Sequence, residues 1–407
     1  MHHPLSQLDT FLIAMLIIFS FPFLIWRFLR TDYFAPMVII QIIAGIIIGP
    51  SLLGAYFGNY YHVVFNAETI HNLNGIASWG VMVFLFVVGM ELDLKDVWRN
   101  KKENGITAGI ALLFPLLLGS IVGVVLLRYP GWTGATVKNW QFVLGIGMAC
   151  SVTALPVLVI LLDKLELLRS PIGKRVLRYA SLDDLLIWSV LAIVIMDMTS
   201  LLTQILFLAG FALAAVLFRK IMAVISETDR WYGALIWLTA VAFAAEWAGS
   251  HFMAGAFMAG AVVDTRWFDQ KKMDLLRQYV LVILMPVFLL NTGLKTNWSM
   301  GGWPVCVAAF VLLCAAVIGK LAGIQFVGRI LKWREGDATV IGWLLQTKSL
   351  TTIIFANILL DKGVITSSTF TALLIMSIVS TMLTVPIVSS KLATNPRLVT
   401  IDSSVSQ

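Results

Sequence analysis

The chain alternates long apolar runs with short polar ones from its first residues to its last. Apolar stretches of about 20 residues, the length a helix needs to cross the hydrocarbon of a bilayer, recur along the whole sequence. Their spacing predicts thirteen helices, at 10–29, 35–56, 76–92, 104–127, 140–163, 176–197, 200–219, 231–249, 251–264, 276–294, 303–328, 338–360 and 367–390. The ninth is short, and its separation from the eighth rests on Gly249, Ser250 and His251. The first run, Phe11 to Leu29, has no lysine or arginine ahead of it and no small-residue cleavage pattern behind it. It reads as a retained helix, not a removable leader.

Composition strengthens this reading. A soluble domain is about 45–50% apolar and about 25% charged, whereas the 407 residues here are 59% hydrophobic and 13% charged. Charge at half the soluble norm is too sparse to solvate a globule of this size. The net charge of +7 does not point to nucleic acid, because the basic residues sit in short loops, where they set membrane orientation. Assigning alternate loops to one side collects 23 of the 29 lysines and arginines there, against four on the other. The last two, Lys320 and Lys348, fall inside helices. The bias predicts an amino terminus outside and a carboxyl terminus in the cytoplasm, in an inner cell membrane. Many of the 14 tryptophans flank spans, as an interfacial belt does. Cys150, Cys306 and Cys314 all lie in apolar runs, an odd set that argues against a disulfide framework.

If the seventh helix is a linker, six helices precede it and six follow, entering from opposite sides. That is the arrangement of inverted repeats common in secondary transporters, and it equates helices 4–6 with 11–13. About 17 residues follow the last helix in a serine-rich tail. No soluble domain, nucleotide fingerprint or phosphate loop is expected.

Against this background a few polar residues are out of place. Asp183 and Asp184 lie in the sixth predicted helix. An acidic residue at a helix centre costs roughly 2.5–3.5 kcal/mol on insertion scales, so the pair demands a partner, a proton or a bound cation. Adjacent helical positions project about 100° apart, so one carboxylate can pair structurally while the other meets a cavity. Lys320, inside the eleventh helix, is the candidate partner of Asp183; snorkelling toward the helix end is the alternative. In the fifth helix, Ser151, Thr153 and Pro156 put hydroxyls and a proline in mid-span. Either a simple kink or an unwound segment lining a cavity follows. Thr347, Lys348 and Ser349 interrupt the twelfth helix at the matching place, and two interruptions in corresponding halves point to a binding site. Glu246 reads as interfacial. The stretches around Trp79–Met90 and Met285–Phe288 read as packing surfaces. His62, His71 and His251 lack metal-ligand spacing, and no resident metal or cofactor is expected.

Five stretches in order carry a resemblance over nearly the whole chain: PMVIIQIIAGIIIGPSLLG (36–54), FLFVVGMELD (84–93), ASLDDLLIW (180–188), MAGAFMAG (253–260), and Pro286 to Phe288 through Gly293 and Leu294. Together they resemble monovalent cation/proton antiporters of the Kef/Nap type, the branch with an Asp-Asp motif. The resemblance implies an all-α polytopic fold with two unwound crossing helices. It divides the chain into core helices at about 104–197 and 303–390, scaffold helices at about 10–92 and 231–294 that make a homodimer, and a linker helix at about 200–219. It implies Asp184 as the ion-carrying carboxylate, Asp183 paired with Lys320, and Thr153 near the crossing. Exchange of Na⁺ or K⁺ for protons by an elevator-like movement follows, usually electrogenic where two aspartates are present. Two positions depart from the family pattern. Gln41 stands where many relatives have an acid, and Thr347-Lys348-Ser349 keeps the basic charge of the second crossing but lacks the usual glycine and following acid. The Kef regulatory domain is not expected. The alternative readings are an exchanger fold repurposed as a sensor or membrane-embedded enzyme, or a K⁺ efflux channel-like protein. No nucleophile–base arrangement supports an enzyme.

Overall fold

The computed structural model describes residues 6–31, 35–50, 52–91, 101–135, 137–168, 170–195, 201–296, 302–334 and 336–394. The regular structure among the described residues is helical, apart from one isolated bridge between Thr133 and Ile365. Asp93, the basic residues Lys95, Arg99, Arg169 and Arg397, and the serine-rich tail lie outside them.

The helices, in order, are α1 Gln7–Leu29, α2 Met37–Ile48, α3 Leu53–Tyr56, α4 Gly58–Val64, α5 Ala67–Met90, α6 Lys101–Leu126, α7 Asn139–Ser151, α8 Leu155–Lys164, α9 Pro171–Val194, α10 Leu201–Val224, α11 Glu227–Trp247, α12 Phe252–Val262, α13 Gln270–Tyr279, α14 Met285–Leu294, α15 Gly302–Ile330, α16 Asp337–Leu344, α17 Ser349–Asp361 and α18 Ser367–Thr394. Each predicted span coincides with a helix or a broken pair of helices. Among the described residues, nine spans are long and apolar enough to cross a membrane, ten if the bent pair α16–α17 counts as one. The three that fall short by those measures are α9, α11 and α12. Of these, α9 carries both aspartates and three basic residues, and α12 is only 11 residues long. The chain is a multi-pass membrane protein. Its exposed apolar side chains, such as Leu12, Leu16, Leu213, Leu217 and Phe310, are what lipid-facing helices require.

Several helices begin before the predicted boundary: α5 at Ala67 not 76, α9 at Pro171 not 176, α11 at Glu227 not 231, and α13 at Gln270 not 276. In each case a polar cap starts the helix outside the apolar run. Asn66 Oδ1 accepts from the Thr69 amide at 2.8 Å, Ser170 Oγ from Gly173 at 3.0 Å, and Ser226 Oγ from Asp229 at 3.3 Å. Asp269 Oδ1 accepts from Lys271 at 2.8 Å and Lys272 at 3.1 Å. Caps of this kind satisfy amides that have no partner within the helix, and hydropathy does not register them. The second predicted span ends at Tyr56 as expected but is interrupted within. Helix α2 stops at Ile48, because the residue before a proline, here Gly49 before Pro50, is disfavoured in helix. Between α13 and α14 a π turn, Val280–Leu284, precedes Pro286, which removes an amide from the helical ladder. The predicted split at Gly249–His251 is real. Glu246 Oε2 accepts from the Phe252 amide at 2.9 Å and His251 Nδ1 from Met253 at 3.3 Å, so both side chains cap α12.

The helices form two compact units. One holds α1, most of α2, α3–α5 and α10–α14; the other holds α6–α9 and α15–α18. In the first unit, helices meet backbone to backbone at paired glycines. A Cβ on Gly260 of α12 would stand 2.0 Å from the Phe86 carbonyl of α5, and one on Gly89 would stand 2.3 Å from the Phe257 carbonyl. Gly45 of α2 and Gly293 of α14 are matched in the same way, at 2.3 Å from Leu290 O and 2.6 Å from Ile42 O. Phe86 and Gly89 lie in the stretch Trp79–Met90 expected to be a packing surface, and Met285, Val287 and Phe288 of the second such stretch are buried. Gln41 is buried on α2.

The second unit repeats one pattern twice: a long helix, a broken helix, a long helix. The first set is α6, α7–α8 and α9; the second is α15, α16–α17 and α18. A dry cluster including Leu158, Leu162, Tyr179, Ile341, Leu344 and Val388 packs α8, α9, α16 and α18 together.

Candidate functional site

The site is built where the two broken helices of the second unit cross. Helix α7 ends at Ser151 and α8 begins at Leu155, with Pro156 in the first turn. Proline there costs no hydrogen bond, because an amide at a helix start has no intrahelical partner. Pro156 therefore starts a helix instead of kinking one, and residues 152–154 are unwound. Helix α16 ends at Leu344 and α17 begins at Ser349, with a bend of 46° between them. Ser349 sits at φ 23°, a left-handed value unusual outside glycine. The two breaks bond directly: the Ala154 amide donates to the Thr347 carbonyl at 2.7 Å.

A break at this depth leaves helix-end carbonyls and amides without partners, which burial penalises. Two lysines satisfy the carbonyls at the end of α7. Lys320 Nζ donates to Ser151 O at 2.8 Å. Lys348 Nζ donates to Cys150 O at 2.5 Å and to Val152 O at 3.0 Å. Both lysine side chains are wholly buried. They set positive charge against the negative end of the α7 dipole, where a cation is stabilising.

Lys320 also pairs with Asp183, Nζ to Oδ2 at 2.8 Å, with side-chain exposures of 0% and 1%. Lys320 therefore does not snorkel. Thr153 Oγ1 lies 2.7 Å from the same carboxylate oxygen and 2.9 Å from Leu345 O, two acceptors that share its single proton. Asp184, on the neighbouring position of α9, is 0% exposed. All five buried aspartates and lysines among the described residues, Asp183, Asp184, Lys320, Asp337 and Lys348, belong to this unit.

Ser151 contributes its carbonyl and not its hydroxyl, which turns back to Gly147 O at 2.8 Å. Thr347 likewise contributes its carbonyl. Five oxygens around the crossing, Asp183 Oδ1, Gln346 Oε1, Thr347 Oγ1, Ser349 Oγ and Thr352 Oγ1, are buried with no hydrogen-bond partner among the described residues.

One part of the site escaped the sequence reading. Helix α18 carries Ser377, Ser380 and Thr381, all 0% exposed. Thr381 Oγ1 accepts from the amides of Lys348 at 3.2 Å and Ser349 at 3.0 Å; Ser380 Oγ donates to Gln346 O at 3.0 Å; Ser377 Oγ donates to Ser349 O at 3.2 Å. The signal was present in the sequence. Hydroxyls spaced i, i+3 and i+4 share one face of a helix, and a polar face inside an apolar span needs a polar neighbour.

At the starting ends of α9 and α16 lies a second polar group. Arg175 Nη1 donates to Asp337 Oδ2 at 2.9 Å, its guanidinium carbon stands 4.5 Å over the Trp333 ring, and Tyr179 OH donates to Glu103 Oε1 at 2.7 Å.

The family profile described as "Sodium/hydrogen exchanger, transmembrane" matches residues 13–391. The chain is similar to the Na⁺/H⁺ antiporter NhaS4 of Synechocystis, 29% identical over 87% of this chain and 90% of that protein. It is also similar to cation/H⁺ antiporter 20 of Arabidopsis thaliana, 31% identical over 87% of this chain. The chain spans about half the length of that plant relative, 45%. Among solved structures, the sodium proton antiporter MjNhaP1 of Methanocaldococcus jannaschii shares the fold. Its TM-score is 0.62, with 95% of this chain and 100% of that one covered at 15% identity.

Proposed function

The chain belongs to the sodium/hydrogen exchanger family, a class of transporters and not of enzymes, and from that premise we propose that it exchanges a monovalent cation for protons at the carboxylates of Asp183 and Asp184. One observation carries the reading. An ion pair, Asp183–Lys320, sits essentially out of solvent beside a second buried carboxylate, at the crossing of two broken helices. Discontinuous helices whose unwound backbone faces a midplane site are the recurrent ion-site architecture of secondary transporters.

The mechanism is competition. Burial disfavours the charged form of a carboxylate, so Asp184 must be neutralised by a proton or by a dehydrated Na⁺ or K⁺. It cannot hold both. Asp183 stays paired with Lys320, and Thr153 holds the shared oxygen in place. The five unpartnered oxygens near the break are hard neutral or anionic donors of the type alkali cations accept. Lys348 Nζ holds the Cys150 and Val152 carbonyls and so keeps the unwound segment from collapsing.

Only a neutralised core crosses a low-dielectric barrier cheaply, and this couples the two fluxes. In this reading the unit holding α6–α9 and α15–α18 is the moving core of an elevator-like transporter, and the other unit is the scaffold of a homodimer. The protein resides in the inner cell membrane with its amino terminus outside. No cofactor takes part.

The test is cation-induced collapse of a proton gradient in everted vesicles. Asp184→Asn is expected to reduce it to background while the protein remains folded and inserted; full activity of that variant refutes the assignment. A salt series in the same assay separates Na⁺ from K⁺, and flux indifferent to the proton gradient would identify a channel instead.

A further inference from the structure

The hydroxyl of Thr381 occupies an unusual place. Helix α17 has no cap of its own. Its N-cap position is Lys348, whose backbone is in the right-handed helical region and whose side chain makes no capping bond. That side chain is committed to Cys150 O and Val152 O. The first amides of α17 are nevertheless satisfied, because Thr381 Oγ1 accepts from Lys348 N at 3.2 Å and from Ser349 N at 3.0 Å. The same hydroxyl donates to Ser377 O at 3.0 Å. One proton given and two lone pairs filled is the full capacity of a hydroxyl, and the residue is 0% exposed.

We infer that Thr381 is a positioning residue for ion exchange, a helix cap supplied from α18 that holds the Lys348 backbone so that its ammonium stays on the α7 carbonyls. The chain of contacts is short. Thr381 holds the two amides at the start of α17; Lys348 holds Cys150 O and Val152 O; Lys320 holds Ser151 O between them and, through the same ammonium, Asp183. Caps normally come from the helix's own preceding residue. Here that residue is spent on charge compensation, so the cap must come from elsewhere. Serine and threonine at one face of an adjacent helix are the side chains that reach backbone groups freed in a membrane span.

The inference rests on the exchange reading for its kinetic half and stands apart from it for its structural half. Two measurements separate them. The first is Na⁺- or K⁺-dependent proton exchange in proteoliposomes with Thr381→Val, which keeps the shape and loses the hydroxyl; Thr381→Ser, which restores it; and Thr384→Val. Thr384 is one turn nearer the helix end, and its hydroxyl bonds only the Ser380 carbonyl of its own helix, at 3.2 Å. The cation KM of Thr381→Val is expected to rise at least tenfold with kcat within twofold of the parent, whereas Thr381→Ser and Thr384→Val stay within twofold in both. The second is amide hydrogen exchange of the segment 345–352 in the purified protein, expected to quicken at least tenfold in Thr381→Val alone. Unchanged hydrogen exchange in Thr381→Val overturns the cap. Faster hydrogen exchange with an unchanged KM overturns the positioning role and leaves a structural one. A parent protein that exchanges no cation for protons sinks the functional reading, and the hydrogen-exchange arm then decides the cap by itself.

Discussion

The two units bury backbone in opposite ways. In the unit built from α5, α12, α2 and α14, helices stay continuous across their contacts, and glycine lets one backbone lie on another. Gly260 against Phe86 O and Gly89 against Phe257 O leave no room for a single methyl. In the unit holding α7–α8 and α16–α17, the helices are broken, and the freed groups are met by side chains: two ammoniums, a carboxylate and a stripe of hydroxyls. The first solution needs no ionised group at those glycine contacts. The second accepts the desolvation cost of five buried charged residues, which only paired and hydrogen-bonded charges can survive. The second unit has close glycine contacts of its own, Gly319 against Pro115 and Gly147 against Leu116 O; what it adds is the pair of broken helices with buried charge between them.

Four variants sharpen that contrast, taken from the largest effect to the smallest. Lys320→Ala leaves Asp183 buried without its ammonium and should cost about 3–5 kcal/mol, as removal of one partner of a buried pair does. Thermal unfolding in detergent reads it, and a loss below 1 kcal/mol would mean that the pair is solvated. The double change Lys320→Met with Asp183→Leu should recover most of that stability and none of the transport, since apolar replacement of a buried pair is often neutral. Gly260→Ala places a methyl against Phe86 O and should cost about 1–3 kcal/mol, the range of overpacking, in the same unfolding measurement. Gly75→Ala, on the same α5 that carries Gly89, meets open space and should stabilise by about 0.5–1 kcal/mol, because glycine is a poor residue in a helix interior. If Gly260→Ala and Gly75→Ala behaved alike, the backbone contact between α5 and α12 would not be the source of that unit's rigidity.

Much of the site was legible because it violates the pattern around it. Asp183, Asp184, Lys320 and Lys348 are charges in apolar runs, and Pro156 is a breaker in a helix. Each is costly unless it has a use. Ten of the thirteen predicted spans, with the bent pair α16–α17 counted as one, were legible for the complementary reason, that apolar length is additive along the chain. Helix starts were less so. Asn66, Ser170, Ser226 and Asp269 act through one local hydrogen bond each, which carries no weight in an apolar average. Ser151 was read by its hydroxyl, yet its carbonyl is the group in use, because which atom of a residue faces a neighbour depends on the backbone path and not on residue type. Glu246, expected at the interface, also caps the start of α12.

By itself the sequence determined that this is a multi-pass helical protein, where its helices run, and which few residues are too polar for their surroundings, since the transfer free energy of each residue is local and sums along the chain. The tertiary structure decided who satisfies whom: that Lys320 meets Asp183 across 137 positions of chain, that Lys348 reaches Cys150 across 198, and that Thr381 caps a helix it does not belong to. Hydrogen bonds and ion pairs are short-ranged and directional, so their partners exist only once distant segments have been brought within a few ångströms.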